Sequence, residues 1–387
     1  MFERSDAFWL YCSAFRTKGA MSMLTKSHFI LIILTQLLVG MGALAVRGEV
    51  PDHAVILMYH HVDESTPQIT SVTPDLFEEH LTYLERHGFR IWPLPAVVDS
   101  LKSGGAIPDS VVAITFDDGY RSVFTEAFPR LRKRGWPFTV FVSTEDIDQH
   151  NGPVLHWDQL REMAMEGATI ASHGHRHRHL QRLEPGESRQ QWRTRTLEEL
   201  RRSRQRILEE IGQDPELLAY PYGEFDEHVQ ELVRQLDWTA FGQQSGAAGP
   251  LKDGTCLPRY PLAADFALMA DFPVKAASLP LPVLQTETED LVLKYRDGSV
   301  IVGAEAPVLM LTLGPGDYQA DQLSAYASGQ GRAHLRWLDR VSGKLEIQAP
   351  YDIPAGRSRY NLTAPAAEPG RWYWFSYTWI VGALHQD

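Results

Sequence analysis

The sequence predicts an α/β domain built on a parallel sheet with helices outside it, followed by a smaller all-β module. From Val55 to Phe241, short apolar runs of strand length alternate with amphipathic stretches of helical period, the order that yields parallel strands joined by crossover helices. Beyond Leu262 the helical period disappears, and short apolar runs are separated by Gly, Asp and Pro. A third observation agrees with the first. His60-His61, Asp117-Asp118, His173 to His177 and Pro221-Tyr222-Gly223 each follow the C-terminal end of such a run, and the functional groups of parallel α/β folds collect on that rim.

The elements follow in order. Val55–Tyr59 (VILMY) reads as a first buried strand. A helix opens at Thr73-Pro74, where the missing N–H of proline costs nothing in the first turn; Phe77, Leu81 and Leu84 share one face and Gly88 stops it. Val111–Phe116 (VVAITF) is the second strand, 123–133 a helix ended by Gly135, and 138–142 (FTVFV) the third strand. Helix 157–166, strand 168–172, a charged amphipathic helix 197–211 and strand 217–220 continue the alternation. Helix 226–236 and strand Thr239–Phe241 repeat the unit once more.

The chain has 387 residues, 44% of them apolar, which fits a main domain plus a smaller one. A net charge of -12 excludes the concentrated positive surface that nucleic acid or an anionic membrane requires, so no nucleic-acid partner is expected and a neutral or cationic ligand fits better. At the N-terminus, Lys26 precedes an apolar run from Phe29 to Val46, and Ala43-Leu44-Ala45 has the small-x-small pattern of a signal-peptidase site. Residues 1–47 are therefore expected to be a leader and cleaved secretory signal, with Met21 or Met23 a more ordinary start, and the mature protein to be exported, periplasmic or secreted. Left uncleaved, the same run is a membrane tether. The cysteines are Cys12 and Cys256, which leaves the mature chain one thiol and no disulfide.

The chemistry is concentrated in two runs. Ser172 to Leu180 reads SHGHRHRHL, with histidine at every second position. Imidazoles at His173 and His177, spaced as one helical turn, can face one ion, while a carboxylate from another segment adds a third ligand and leaves positions open for water. An open site of this kind implies catalysis. Asp117 and Asp118 leave a strand side by side and so point in different directions: one can hold the metal while its neighbour stays unligated as a base. Each run also has a plainer reading. Asp-Asp-Gly is good turn chemistry, His175 and His179 with Arg176 and Arg178 read as exposed loop companions, and Tyr220-Pro221-Tyr222-Gly223 is a common kind of turn.

In this order and separation, Thr115-Phe116-Asp117-Asp118-Gly119, Ser172-His173-Gly174-His175-Arg176-His177 and Tyr220-Pro221-Tyr222-Gly223 resemble the three principal motifs of the NodB-type polysaccharide deacetylases, carbohydrate esterase family 4, over Ala54 to Leu262. Gly174 stands where Ser or Thr is usual, and Tyr220 where many members have Arg. Met58-Tyr59-His60-His61 looks like the opening strand of the exopolysaccharide branch, the poly-N-acetylglucosamine deacetylases. The resemblance implies a distorted (β/α)7-like barrel and a divalent metal held by Asp118, His173 and His177, most commonly Zn2+, with Co2+, Ni2+ or Fe2+ as alternatives. It implies that Asp117 takes a proton from water activated by the metal, and that the backbone N–H of Tyr222 stabilises the oxyanion. The late histidine that serves many members as general acid has no counterpart in Leu257-Pro258-Arg259-Tyr260, so the exopolysaccharide branch points to His60, with His61 the alternative. Arg259 is expected to replace the missing arginine by pairing with Asp117 and holding it ionised.

The expected function is removal of N-acetyl groups from a GlcNAc-containing polysaccharide, the acetylated glycan being the partner. A catalytically weak glycan-binding protein on the same scaffold and an O-acetyl esterase are the alternatives. Residues 48–275 then form the deacetylase domain and 276–387 an all-β accessory sandwich, after a linker marked by Pro273, Pro280 and Pro282. Its expected strands are 291–295, 299–302, Val308–Leu313, 334–338, Lys344–Gln348 and 372–377. Arg371-Trp372-Tyr373-Trp374-Phe375 invites sugar stacking, but alternating aromatics in a sandwich strand mostly fill its core.

Overall fold

The computed structural model describes residues 52–214, 216–250, 254–288, 295–296, 299–300, 306–354 and 356–381. The leader and signal expected at 1–47 lie outside these residues, as do 291–294 and 301–302 of the expected strands. No helix among the described residues is long and apolar enough to cross a membrane.

The expected alternation is present. Strands β1 (Val55–Tyr59), β2 (Arg90–Ile91), β3 (Val111–Phe116), β4 (Thr139–Val142), β5 (Thr169–Ser172), β6 (Leu217–Ala219), β7 (Thr239–Phe241) and β8 (Tyr260–Pro261) form one parallel sheet. Its order is β8-β1-β3-β4-β5-β6-β7, with β2 beside β3. Tyr260 pairs with Leu57 of β1, while Leu257 bridges Phe241 of β7, so segment 257–261 joins the last strand to the first. The result is a (β/α)7-type barrel closed by a few residues rather than a full strand, and distorted for that reason.

The period of two along each strand assigns the faces. Val55, Leu57 and Tyr59 of β1 pack outward with Val112, Ile114 and Phe116 of β3 against the helices, whereas Ile56, Ala113, Phe141, Ala171, Ala219 and Phe241 fill the inside. Continuing that alternation past β3 puts Thr115 and Asp117 on the interior face with Ala113. Helix α1 (Pro74–Arg86) starts at Thr73, whose hydroxyl accepts from the Leu76 amide at 3.2 Å.

Several elements differ from expectation. Helix α2 (Leu94–Ser103) was not expected; it buries Leu94, Val97, Val98 and Leu101. The helix expected at 123–133 begins as a wide turn, Val123–Ala127, and tightens into α3 (Phe128–Arg134). A short helix α4 (Thr144–Gln149) follows β4, and α5 (Trp157–Met165) lies as expected. Helix α6 runs from Arg189 to Ile211, two turns longer than its apolar period suggests, because Ser188 and Gln191 form a reciprocal cap that starts it within a polar stretch. Helix α7 (Glu227–Gln235) completes the set around the barrel.

The expected linker is packed structure. Pro273 lies in the first turn of a short helix α8 (Phe272–Ala276), and β9 (Leu279–Pro280) pairs in parallel with β17 (Trp372–Val381), with Leu279 and Leu281 buried. Two sheets, antiparallel except for the β9–β17 pair, then face each other. One is β9-β17-β16-β12-β13, with β12 (Ser324–Ala327), β13 (Gly331–Arg332) and β16 (Gly356–Pro365). The other is β10-β11-β15-β14, with β10 (Val283–Thr288), β11 (Val308–Leu313), β14 (His334–Asp339) and β15 (Lys344–Gln348). Leu309, Leu311, Leu345, Ile347, Tyr360, Leu362, Tyr373 and Trp379 fill the space between them. Tyr373 and Trp379 thus serve the core, while Trp374 packs edge to face on Tyr260 of β8, ring centroids 5.5 Å apart.

Candidate metal centre and active site

Strand β3 extends one residue beyond Phe116, since the Asp117 amide donates to the Tyr59 carbonyl at 2.9 Å. Asp118 then adopts a left-handed φ of 67°, which turns its carboxylate toward the end of β5. Asp118 Oδ1 lies 3.1 Å from His173 Nε2 and 3.2 Å from His177 Nε2, and the three ligand atoms lie within 4.8 Å of one another. His173 Nδ1 donates to the Ala219 carbonyl at 2.8 Å, which leaves the Nε2 lone pair free to act as a ligand. Asp118 Oδ1 and His173 Nε2 are both buried and neither is satisfied by a hydrogen bond. Two acceptors this close repel unless a cation joins them, so the donor set fits a divalent ion; two imidazoles and a carboxylate suit zinc. His177 is partly exposed, so the site opens to solvent on its side.

The two histidines converge by a route other than a helical turn. Residues 173–179 form an irregular loop in which Gly174 (φ 82°) and His177 (φ 51°) are left-handed, and it is these reversals that bring the rings together, centroids 4.9 Å apart. The left-handed φ explains glycine at 174, since a Cβ there has room but an unfavourable backbone conformation. The loop is held from below by Glu199 of α6, whose buried Oε1 accepts from the His175 amide at 2.8 Å and from the Arg176 amide.

Asp117 is fully buried and paired with an equally buried arginine. Arg259 Nη1 and Nη2 donate to its two oxygens at 2.7 Å each, Arg259 Nε donates to the Gly242 carbonyl at 2.9 Å, and Nη1 also reaches Thr115 Oγ1 at 3.3 Å. Burial alone raises the Asp117 pKa; the Arg259 charge, helped by His173, overrides it and holds the carboxyl below its ordinary value. His60 follows β1 directly and is half-buried. Burial lowers its pKa, opposed by the charges of Asp117 and Asp118, so its ring lies within the field of both aspartates. His61 is buried and stacks on Tyr120, centroids 3.5 Å apart at 20°; it is packed as a structural ring.

Tyr222 follows β6 in a left-handed conformation (φ 59°, ψ 3°), and the residue is 41% exposed. Its ring lies 4.5 Å from that of His177 and stacks on His179 at 4.0 Å and 14°. His179 is thus no loose loop companion: its Nδ1 lies 2.6 Å from Glu224 Oε2, which also accepts from Gln181 at 2.6 Å. His175 likewise bonds Thr144 Oγ1 through Nδ1 at 2.8 Å, Arg178 pairs with Glu184, and Arg176, the most exposed of the four loop companions, donates from Nε to Glu145 Oε1 at 3.1 Å. Glu199, Glu224, Gln243 and Arg357 all brace this rim and none was singled out from the sequence. Each is a polar residue inside a polar stretch, where no local period marks it.

Residues 104–241 match the family model described as polysaccharide deacetylase. The chain is 28% identical over 193 residues to the Bacillus subtilis protein YxkH, a match covering 50% of this chain and 65% of that protein. It is 26% identical over 225 residues to the poly-beta-1,6-N-acetyl-D-glucosamine N-deacetylase of Staphylococcus epidermidis, covering 53% of this chain and 78% of that enzyme. Among solved structures, the Streptococcus pyogenes deacetylase PplD in complex with acetate superposes with a TM-score of 0.50 at 24% identity, over 56% of this chain and 94% of that one, a likeness of fold. With the motifs on one rim of a barrel of this type, the chain carries a polysaccharide deacetylase domain.

Proposed function

We propose that the protein is an exported, divalent-metal-dependent N-deacetylase of a GlcNAc-containing polysaccharide, with residues 48–275 as its catalytic domain and 276–387 as an accessory domain. The observation that carries the reading is the convergence of Asp118 Oδ1, His173 Nε2 and His177 Nε2, two of them buried and unsatisfied, beside a second carboxylate held by arginine. Asp118, His173 and His177 would hold the ion. When bound, a divalent ion lowers the pKa of water from about 16 to near 7 and polarises an acyl carbonyl.

The chain's own residues supply the rest. Asp117 accepts the proton of the attacking water: each of its oxygens spends one lone pair on Arg259 and keeps another, and the guanidinium keeps it ionised. The Tyr222 N–H donates to the oxygen that gains charge as the tetrahedral species forms, a donor worth about 3 kcal/mol. His60 hands a proton to the leaving nitrogen, because an amine cannot leave as its anion. The substrate class is supported by the name of the staphylococcal relative and by the His60-His61 pair after β1. Export is supported by the apolar run from Phe29 to Val46 and is tested by N-terminal sequencing of the mature chain.

The test of function is acetate release from acetylated β-1,6 and β-1,4 GlcNAc oligomers, with and without a chelator. Release on the oligomers that a chelator abolishes and zinc restores supports the reading. Binding without release identifies a glycan-binding protein, and release from O-acetylated glycans alone identifies an esterase.

A further inference from the structure

Strand β16 reaches across to the catalytic rim. Ser358 and Tyr360 face the sandwich core, so the period of two puts Arg357 and Arg359 together on the opposite face. Arg357 Nη1 donates to the Tyr222 carbonyl and to Gln243 Oε1, the latter at 2.6 Å. Arg359 Nη1 donates to the Gln243 carbonyl at 2.7 Å, and Ser376 Oγ of β17 donates to the Ser245 carbonyl at 2.5 Å. Three side chains of the β-module thus grip the backbone or side chains of the segments that follow β6 and β7.

We propose that Arg357 is a positioning residue for deacetylation, a part of the active site contributed by the β-module: it holds Tyr222 in its left-handed conformation so that the Tyr222 N–H stays aimed at the reacting carbonyl. The proposal rests on the reading of Tyr222 as the oxyanion donor. Left-handed backbone is unfavourable for a non-glycine residue and persists where the surroundings over-determine it. Here the surroundings are specific. The Tyr222 carbonyl is fixed by Arg357, and the ring is fixed from the other side by His179. Gly223 is shaped to admit the guanidinium: at its φ of 63° an added Cβ would collide with Arg357 Nη1 and lie 2.8 Å from Gln243 Cβ. Burial, then the neighbouring Arg359 charge, pushes the Arg357 pKa down to about 10, which leaves it charged at neutral pH. A carbonyl gripped by a charged donor fixes the Tyr222–Gly223 peptide plane, and with the ring held on its other side by His179 the Cα between them is anchored. The preceding Pro221–Tyr222 plane, which carries the N–H, therefore cannot swing with a rotation of the residue as a whole.

The test compares the full-length chain with Arg357→Met and Arg357→Lys. Steady-state rates on acetylated β-1,6 GlcNAc oligomers are read alongside the Tyr222 amide resonance in 15N-tyrosine protein, assigned with a Tyr222→Phe chain. Arg357→Met is expected to lower kcat by roughly 10- to 100-fold with KM changed less than about twofold, and to shift or broaden that resonance. Arg357→Lys, which keeps a charged donor, is expected to recover part of both. An unchanged kcat and resonance in Arg357→Met overturns the proposal. So does equal loss in both variants together with a fall in melting temperature, which marks a merely structural contact. If the unsubstituted chain releases no acetate, the deacetylase reading fails, and the Tyr222 resonance alone decides whether Arg357 positions that residue.

Discussion

Arg259 and Asp117 form an ion pair with no exposure on either side chain and two parallel bonds of 2.7 Å, so the energetics of buried charge govern what their substitution does. Arg259→Met leaves a carboxylate in the barrel with no counter-charge, and Asp117→Leu leaves a guanidinium in the same condition. Each is expected to cost about 3–5 kcal/mol, a large share of the roughly 5–15 kcal/mol that holds a domain folded. The double variant removes both charges. What remains is the loss of the Arg259 donors to the Gly242 carbonyl and Thr115 Oγ1, on the order of 1–3 kcal/mol. The singles thus sum to about 6–10 kcal/mol while the double costs a fraction of that, a coupling of several kcal/mol. The assay is urea unfolding of the metal-free chains followed by tryptophan fluorescence. A double variant whose loss equals the sum of the singles, within about 1 kcal/mol, refutes the claim that the pair is a closed, mutually dependent unit.

Two further outcomes test the surrounding assignments. His60→Ala is expected to slow amide hydrolysis by roughly 100-fold or more and to leave hydrolysis of a p-nitrophenyl acetate much less affected, since that leaving group needs no proton; His61→Ala, which removes a ring stacked on Tyr120, should not discriminate between the two substrates. Equal losses on both substrates for His60→Ala would remove it as the general acid. His80 is buried against Phe272, its Nε2 donating to the Ala267 carbonyl at 2.6 Å, and burial pushes its pKa down to about 4. Between pH 6.5 and 4 the unfolded chain therefore binds a proton that the native chain does not, so stability falls on acidification by about 3 kcal/mol through this group and is fully present above pH 6.5. Denaturation at pH 7 and pH 4.5 checks this, and a His80→Leu chain with the same pH slope would contradict it.

The parallel strands were legible because both faces of each are buried, which leaves continuous apolar runs such as VILMY and VVAITF with sharp ends. The rim was legible for the same reason, since each run of chemistry-bearing residues starts where an apolar run stops. Strand β16 was missed although it is one of the two longest described strands, for Arg357, Arg359 and Asn361 alternate with Ser358, Tyr360 and Leu362, and its outward face binds carbonyls and hydroxyls rather than a hydrophobic core. The linker reading failed at Pro280 because a proline can occupy an edge strand, and β9 is the edge of its sheet. The spacing of His173 and His177 suggested a helical turn. The structure brings the same two rings together through left-handed Gly174 and His177, a backbone choice that spacing does not encode.

Titration of Zn2+ into the metal-stripped chain, followed calorimetrically, tests the central claim most directly. The geometry of Asp118, His173 and His177 predicts one tight site per chain, lost in His173→Ala and in Asp118→Ala, and retained in Asp117→Asn, which nevertheless releases no acetate from GlcNAc oligomers. Undiminished zinc affinity in His173→Ala, or acetate release by Asp117→Asn at the rate of the unsubstituted chain, would contradict it.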